Sequence, residues 1–84
     1  PNPAANGQEV TIGFHLQEPA SVTLELFDIQ GRLVESWQEG VSYPAGHHLF
    51  RTTLSGLHEA TYVYRLTTAE GAKRSHVLYV LGGH

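Results

Sequence analysis

An all-β sandwich of about six or seven short antiparallel strands is the fold this sequence predicts, and three observations predict it. Apolar and polar residues alternate at period two, turn residues interrupt the alternation at near-regular intervals, and no stretch repeats its apolar positions at the 3.6-residue helical spacing. A strand buried on one face demands the first pattern, because successive side chains point to opposite sides of a sheet.

The clearest run puts Val10, Ile12, Phe14 and Leu16 on one face and Thr11, Gly13, His15 and Gln17 on the other, and Glu18-Pro19 closes it. A second run sets Val22, Leu24 and Leu26 against Thr23, Glu25 and Phe27 before Asp28-Ile29-Gln30-Gly31 turns the chain. In that turn Asp28 caps backbone amides, Gly31 suits a positive φ, and Arg32 follows closely enough to pair with Asp28, which predicts a tight hairpin. Leu33 to Trp37 form a third strand, and the segment from Glu39-Gly40 to Pro44-Ala45-Gly46 reads as turn. A short strand from His47 to Thr52 follows. Leu54-Ser55-Gly56-Leu57 reads as a connection with room for a helical turn, and Tyr62 to Thr67 restores strong β propensity. Ala69-Glu70-Gly71-Ala72 makes a hairpin into the last strand, Arg74 to Leu81. There Ser75, Val77, Tyr79 and Leu81 share one face and His76, Leu78 and Val80 the other.

A chain of 84 residues makes one domain near the lower end of what folds alone. We expect a single domain over residues 1–84, with residues 1–7, Pro-Asn-Pro-Ala-Ala-Asn-Gly, as a linker or entry loop. Apolar residues at 40% and charged residues at 15% supply one thin core rather than a disordered tail. The net charge of -3 offers no attraction to nucleic acid, and no run approaches the roughly 18 apolar residues of a membrane helix. Zero Cys removes disulfides, thiolate metal sites and cysteine nucleophiles together.

Chemistry-bearing constellations are sparse. The adjacent His47 and His48 point to opposite faces of a strand and do not chelate one ion, and His15, His58, His76 and His84 show no metal-ligand spacing. No nucleophile elbow accompanies the serines, and Glu35 and Glu39 read as solvated side chains. The expectation is therefore no catalytic residue, no cofactor and no metal. Trp37, Tyr43, Tyr62, Tyr64 and Tyr79 offer material for a sugar-stacking platform, although their alternation with aliphatics favours core packing.

Several stretches together resemble a known family. They are Pro1-Asn2-Pro3, the run Phe27-Asp28-Ile29-Gln30-Gly31-Arg32-Leu33-Val34, Ala45-Gly46-His47, Tyr62-Val63-Tyr64-Arg65-Leu66, and a Lys73-Arg74 pair leading a final apolar strand. This set resembles the C-terminal sorting domain of type IX secretion cargo, and it spans nearly the whole chain. The D-x-x-G-R turn in company with the late Y-x-Y-R-L strand is its most specific element; Ala60 stands where the family usually carries Gly.

The resemblance implies an immunoglobulin-like sandwich without catalytic activity. Such a domain directs an exported protein through the periplasm and across the bacterial outer membrane for attachment at the surface or release. The partners implied are the type IX translocon, the surface-attachment machinery and an upstream cargo domain. Physical reasoning adds an expected mechanism, in which the last strand lies at a sheet edge and is read by strand addition. Lys73 and Arg74 then orient it, and Val77, Leu78, Tyr79 and Val80 form the recognised segment. Two rival readings stand beside this one. One is a carbohydrate-binding module. The other is a structural accessory domain resembling the immunoglobulin-like part of flagellar hook-capping proteins.

Overall fold

The computed structural model describes residues 4–5 and 7–81, and it lays this alternating sequence out as seven strands in two sheets. In chain order they are β1 (Ala4–Ala5), β2 (Glu9–Leu16), β3 (Ala20–Asp28), β4 (Leu33–Tyr43), β5 (Gly46–Thr53), β6 (Ala60–Thr68) and β7 (Lys73–Leu81). One sheet has five strands in the order β1-β7-β6-β3-β4, and the other pairs β2 with β5. Every pairing is antiparallel except β1 with β7, which run parallel through Ala4↔Val80 and Ala5↔Leu81. The chain passes between sheets after β1, β2, β4 and β5, so each sheet is assembled from segments distant in sequence. The result is the all-β sandwich that the alternation predicts, of the immunoglobulin-like kind that the resemblance implies.

The core follows from the period-two pattern. Val10, Ile12 and Leu16 from β2 face Val22, Leu24 and Leu26 from β3, with Tyr62, Leu66, Leu78 and Val80 from the neighbouring strands, and all are buried. Closing such side chains away from water is the main favourable term in folding, worth roughly 1.5–3 kcal/mol for each fully buried aliphatic side chain. Leu54 and Leu57 complete one end of the core. They sit in the connection where a helical turn had room to form; the chain bends there without a helix, because the two leucines point inward while Leu54 exchanges backbone bonds with Gly7 and Gln8 (2.7 and 3.0 Å).

Two expectations about element boundaries need correction. Glu39-Gly40 does not end the third strand: β4 continues to Tyr43, and only Pro44 and Ala45 lie between it and β5. Gly40 takes φ +59° and donates its N–H to the Thr23 hydroxyl at 3.0 Å, at a place where the β3–β4 register is irregular. A turn-type residue here makes a bulge inside a strand. The last strand is also not the outermost of its sheet, since β1 pairs beside it at Val80 and Leu81.

Candidate functional site

The outer face of the five-stranded sheet carries an apolar stripe. Cross-strand partners share a face, and the register carries Leu33, Phe27, Val63 and Val77 across four strands in one row, through Phe27↔Leu33, Phe27↔Val63 and Val63↔Val77. Leu33 is 53% exposed and Val77 45%, with Tyr79 at 50% and Leu81 at 49% further along β7 and Ile29 at 71% on the adjoining turn. An apolar stripe of this kind, facing solvent, marks a contact surface more often than scattered single residues do.

Arg65 stands in the middle of this face. Its guanidinium carbon lies 4.5 Å from the centre of the Phe27 ring, and its Nη2 lies 3.6 Å from Glu25 Oε1. The cation–π contact and the loose ion pair hold it flat, and its buried Nε has no acceptor. Phe27, Ile29, Val63, Arg65 and Ser75 border a shallow cavity of about 420 Å³ here, with the Asp28–Gly31 turn as its wall.

That turn is closed as its sequence requires. Asp28 Oδ1 accepts the backbone N–H groups of Gln30 and Arg32, each at 2.9 Å, and Oδ2 accepts Arg32 Nε at 2.8 Å. Gly31 has φ +85°, which only a residue without Cβ takes cheaply. The Arg32 backbone N–H, followed by the Arg32 side chain and then the Gln30 amide, holds the Asp28 carboxyl below its ordinary value of 3.8 against a smaller opposing effect of desolvation.

The residues expected to form a recognition segment divide between surface and interior. Lys73 and Arg74 are exposed, and so are Val77 and Tyr79. Lys73 is the partner of Thr67 and lies on the outer face, whereas Arg74 is the partner of Leu66 and lines a cleft at the end of the sandwich with Glu18 and Glu70. Leu78 and Val80 are each 2% exposed and belong to the core. Period two forces this division, and in the folded chain only one half of the segment is open to solvent. Ile29, Leu33, Val63 and Arg65 were not singled out as surface contacts; the unexpected signal was Phe27 on an otherwise polar strand face.

The five aromatic residues do not assemble into one platform. Tyr62 is buried and donates its hydroxyl to the His58 carbonyl at 2.9 Å. Trp37 contacts Phe50 and Tyr64 with ring centres 6.0 and 6.3 Å apart, Tyr43 meets Phe14 edge-on at 5.1 Å, and Tyr79 stands on the opposite face of the sheet. Burial pushes the Tyr64 phenol above its ordinary value of 10.0, as packing in an apolar cluster does. Among the described residues, no three His, Asp or Glu side chains converge as a metal site, and no helix is long and apolar enough to cross a membrane.

Comparison with curated proteins gives no match. Comparison with protein families gives one that covers residues 1–79 and is described as the secretion system C-terminal sorting domain. It takes in the Asp28–Arg32 turn, the Tyr62–Leu66 strand and the start of β7 through Tyr79, the elements on which the resemblance rests. With this match over most of its length, and with the immunoglobulin-like sandwich beneath it, the chain belongs to the C-terminal sorting domains of type IX secretion, which mark an exported protein for the cell surface or the extracellular space.

Proposed function

We propose that this domain carries its cargo through the periplasm and across the outer membrane, for surface attachment or release, by presenting the outer face of the five-stranded sheet along β7 to the secretion machinery. The observation that carries the reading is the apolar row Leu33, Phe27, Val63 and Val77, continued on β7 by Tyr79 and Leu81. An apolar face is costly for an isolated domain to expose and gains by being covered. Lys73 stands at the start of β7 on the same face and gives the approach a polarity. Leu78 and Val80 anchor the strand from beneath. In this reading the domain acts by being recognised, as a sorting signal, and not by catalysis.

Strand addition at the β7 edge is confined by β1, which occupies the side of β7 at Val80 and Leu81. Recognition therefore proceeds through the side chains of the outer face, with any backbone pairing near Lys73–His76, beyond the β1 bridges.

The test is an export assay, with the chain fused to the C-terminus of a periplasmic fluorescent reporter in a bacterium with a working type IX system. Replacing Val77 and Tyr79 together by Lys leaves the core intact and is expected to hold the reporter in the periplasm while the melting temperature stays near that of the parent. Surface arrival at the parental level with both substitutions in place overturns this assignment of the recognised face.

A further inference from the structure

The face of the second sheet turned away from the core carries a different pair of side chains. β2 and β5 pair through eight consecutive residues without a bulge, from Glu9↔Thr53 to Leu16↔Gly46, and His15 stands directly opposite His47. Both are exposed, and their ring centres are 4.5 Å apart with the planes inclined at 52°. We propose that His15 and His47 form a two-imidazole binding site for a divalent transition metal of the Cu2+ and Ni2+ class, independent of the secretion surface.

The spacing carries the argument. A metal–nitrogen bond of about 2.0–2.1 Å, plus about 1.1 Å from that nitrogen to the ring centre, puts an imidazole centre roughly 3.2 Å from the ion. Two imidazoles at neighbouring positions of a square-planar or octahedral ion subtend about 90°, so their centres lie roughly 4.5 Å apart; a tetrahedral ion spreads them to roughly 5.2 Å. The observed 4.5 Å is the right-angle value. Imidazole nitrogen suits copper, nickel and zinc, and among these Cu2+ binds a given nitrogen site most tightly.

The surroundings suit an open site. On the same face Gly13 and Leu49 are the next cross-strand pair, and Gln17 and Ala45 lie just past the ends of the two strands. Both imidazoles are exposed, so waters, or a donor from another molecule, reach the remaining coordination positions, while the Leu49 side chain fills the space over Gly13, 3.4 Å from where a Cβ would stand. None of these neighbours is a cation that would repel the ion. The unbroken ladder also fixes the two Cα positions, so the second imidazole meets a bound ion intramolecularly instead of being recruited from solution.

The experiment is calorimetric titration of the full chain with CuCl2 in a non-coordinating buffer near neutral pH, paired with electron paramagnetic resonance of the one-equivalent complex. The expected result is one tight equivalent whose spectrum reports two equivalent imidazole nitrogens. His15→Asn and His47→Asn should each weaken it by more than about tenfold, because each leaves a single monodentate ligand. His58→Asn and His76→Asn should leave that equivalent unchanged. Binding that survives H15N and H47N at parental affinity overturns the proposal, and so does a wild-type spectrum with a single nitrogen. The spectrum needs no variant, and a metal-free melting curve establishes that each variant is folded.

Discussion

Two hairpin turns of this molecule share one backbone plan and differ in how their side chains complete it. In the first, between β3 and β4, Asp28 N–H donates to the Arg32 carbonyl at 2.9 Å and Gly31 N–H to the Asp28 carbonyl at 3.0 Å. In the second, between β6 and β7, Thr68 N–H donates to the Ala72 carbonyl and Gly71 N–H to the Thr68 carbonyl, both at 2.9 Å. Gly31 and Gly71 occupy the same place with φ +85° and +92°. The backbone demands one thing of both turns, a residue that tolerates positive φ four places into the loop. Asp28 then satisfies two further N–H groups and an arginine, whereas the Thr68 hydroxyl accepts one N–H, from Ala72, at 3.2 Å. The difference teaches that the loop conformation belongs to the glycine, while the capping residue decides how firmly it is held.

The largest expected effect tests what the turns share. A Cβ at Gly31 or Gly71 meets nothing within 4 Å, so Gly→Ala costs only the left-handed backbone, roughly 1–2 kcal/mol at either position. For a domain of this size that lowers the melting temperature by about 4–8 °C per kcal/mol, read by circular dichroism. A markedly smaller loss at one glycine breaks the equivalence of the two loops.

The next effect tests where they differ. Asp28→Ala should destabilise more than Thr68→Ala, since it removes two backbone caps and the partner of Arg32, against a single long bond. Transplanting the first turn into the second, with Thr68→Asp and Ala72→Arg, should raise stability by about 0.5–1 kcal/mol in a urea titration. No gain would mean that the strands, and not the turn, set the strength of the second hairpin.

The smallest effect is pH dependence. The folded Asp28 carboxyl is held below 3.8, so its contribution is full above that ordinary value and is lost as pH falls through the lower folded value. The advantage of the wild type over Asp28→Asn should thus be constant from pH 7 to 5 and narrow below about pH 4. The second turn has no carboxylate at the capping position, and the comparison of Thr68→Ala with wild type should not move over that range.

Legibility in the sequence follows the range of the interaction that decides each feature. The first turn was readable in full, because Asp28, Gly31 and Arg32 act on their own neighbours. The equivalence of Thr68 was not, since threonine caps more weakly and carries no signature at that spacing. Gly40 misled for a related reason: locally a bulge and a turn ask for the same residue, and only the partner Thr23, seventeen positions away, distinguishes them. In the recognition segment the alternation of β7 was plain, but alternation does not say which half is covered. Packing against β2 and β3 buried Leu78 and Val80 and left Val77 and Tyr79 outside.

The sequence by itself therefore determined the all-β class, the faces of each strand, the Asp28–Arg32 turn and the family, because each is written in period-two patterning or in residues within a few positions of one another. Only the tertiary structure decided the strand order, the place of β1 beside β7, the apolar row from Leu33 to Val77, and the meeting of His15 with His47. These depend on register between strands separated by long stretches of chain. A shift of one residue in that register would turn every side chain to the other face, and what fixes it is the burial of the common core.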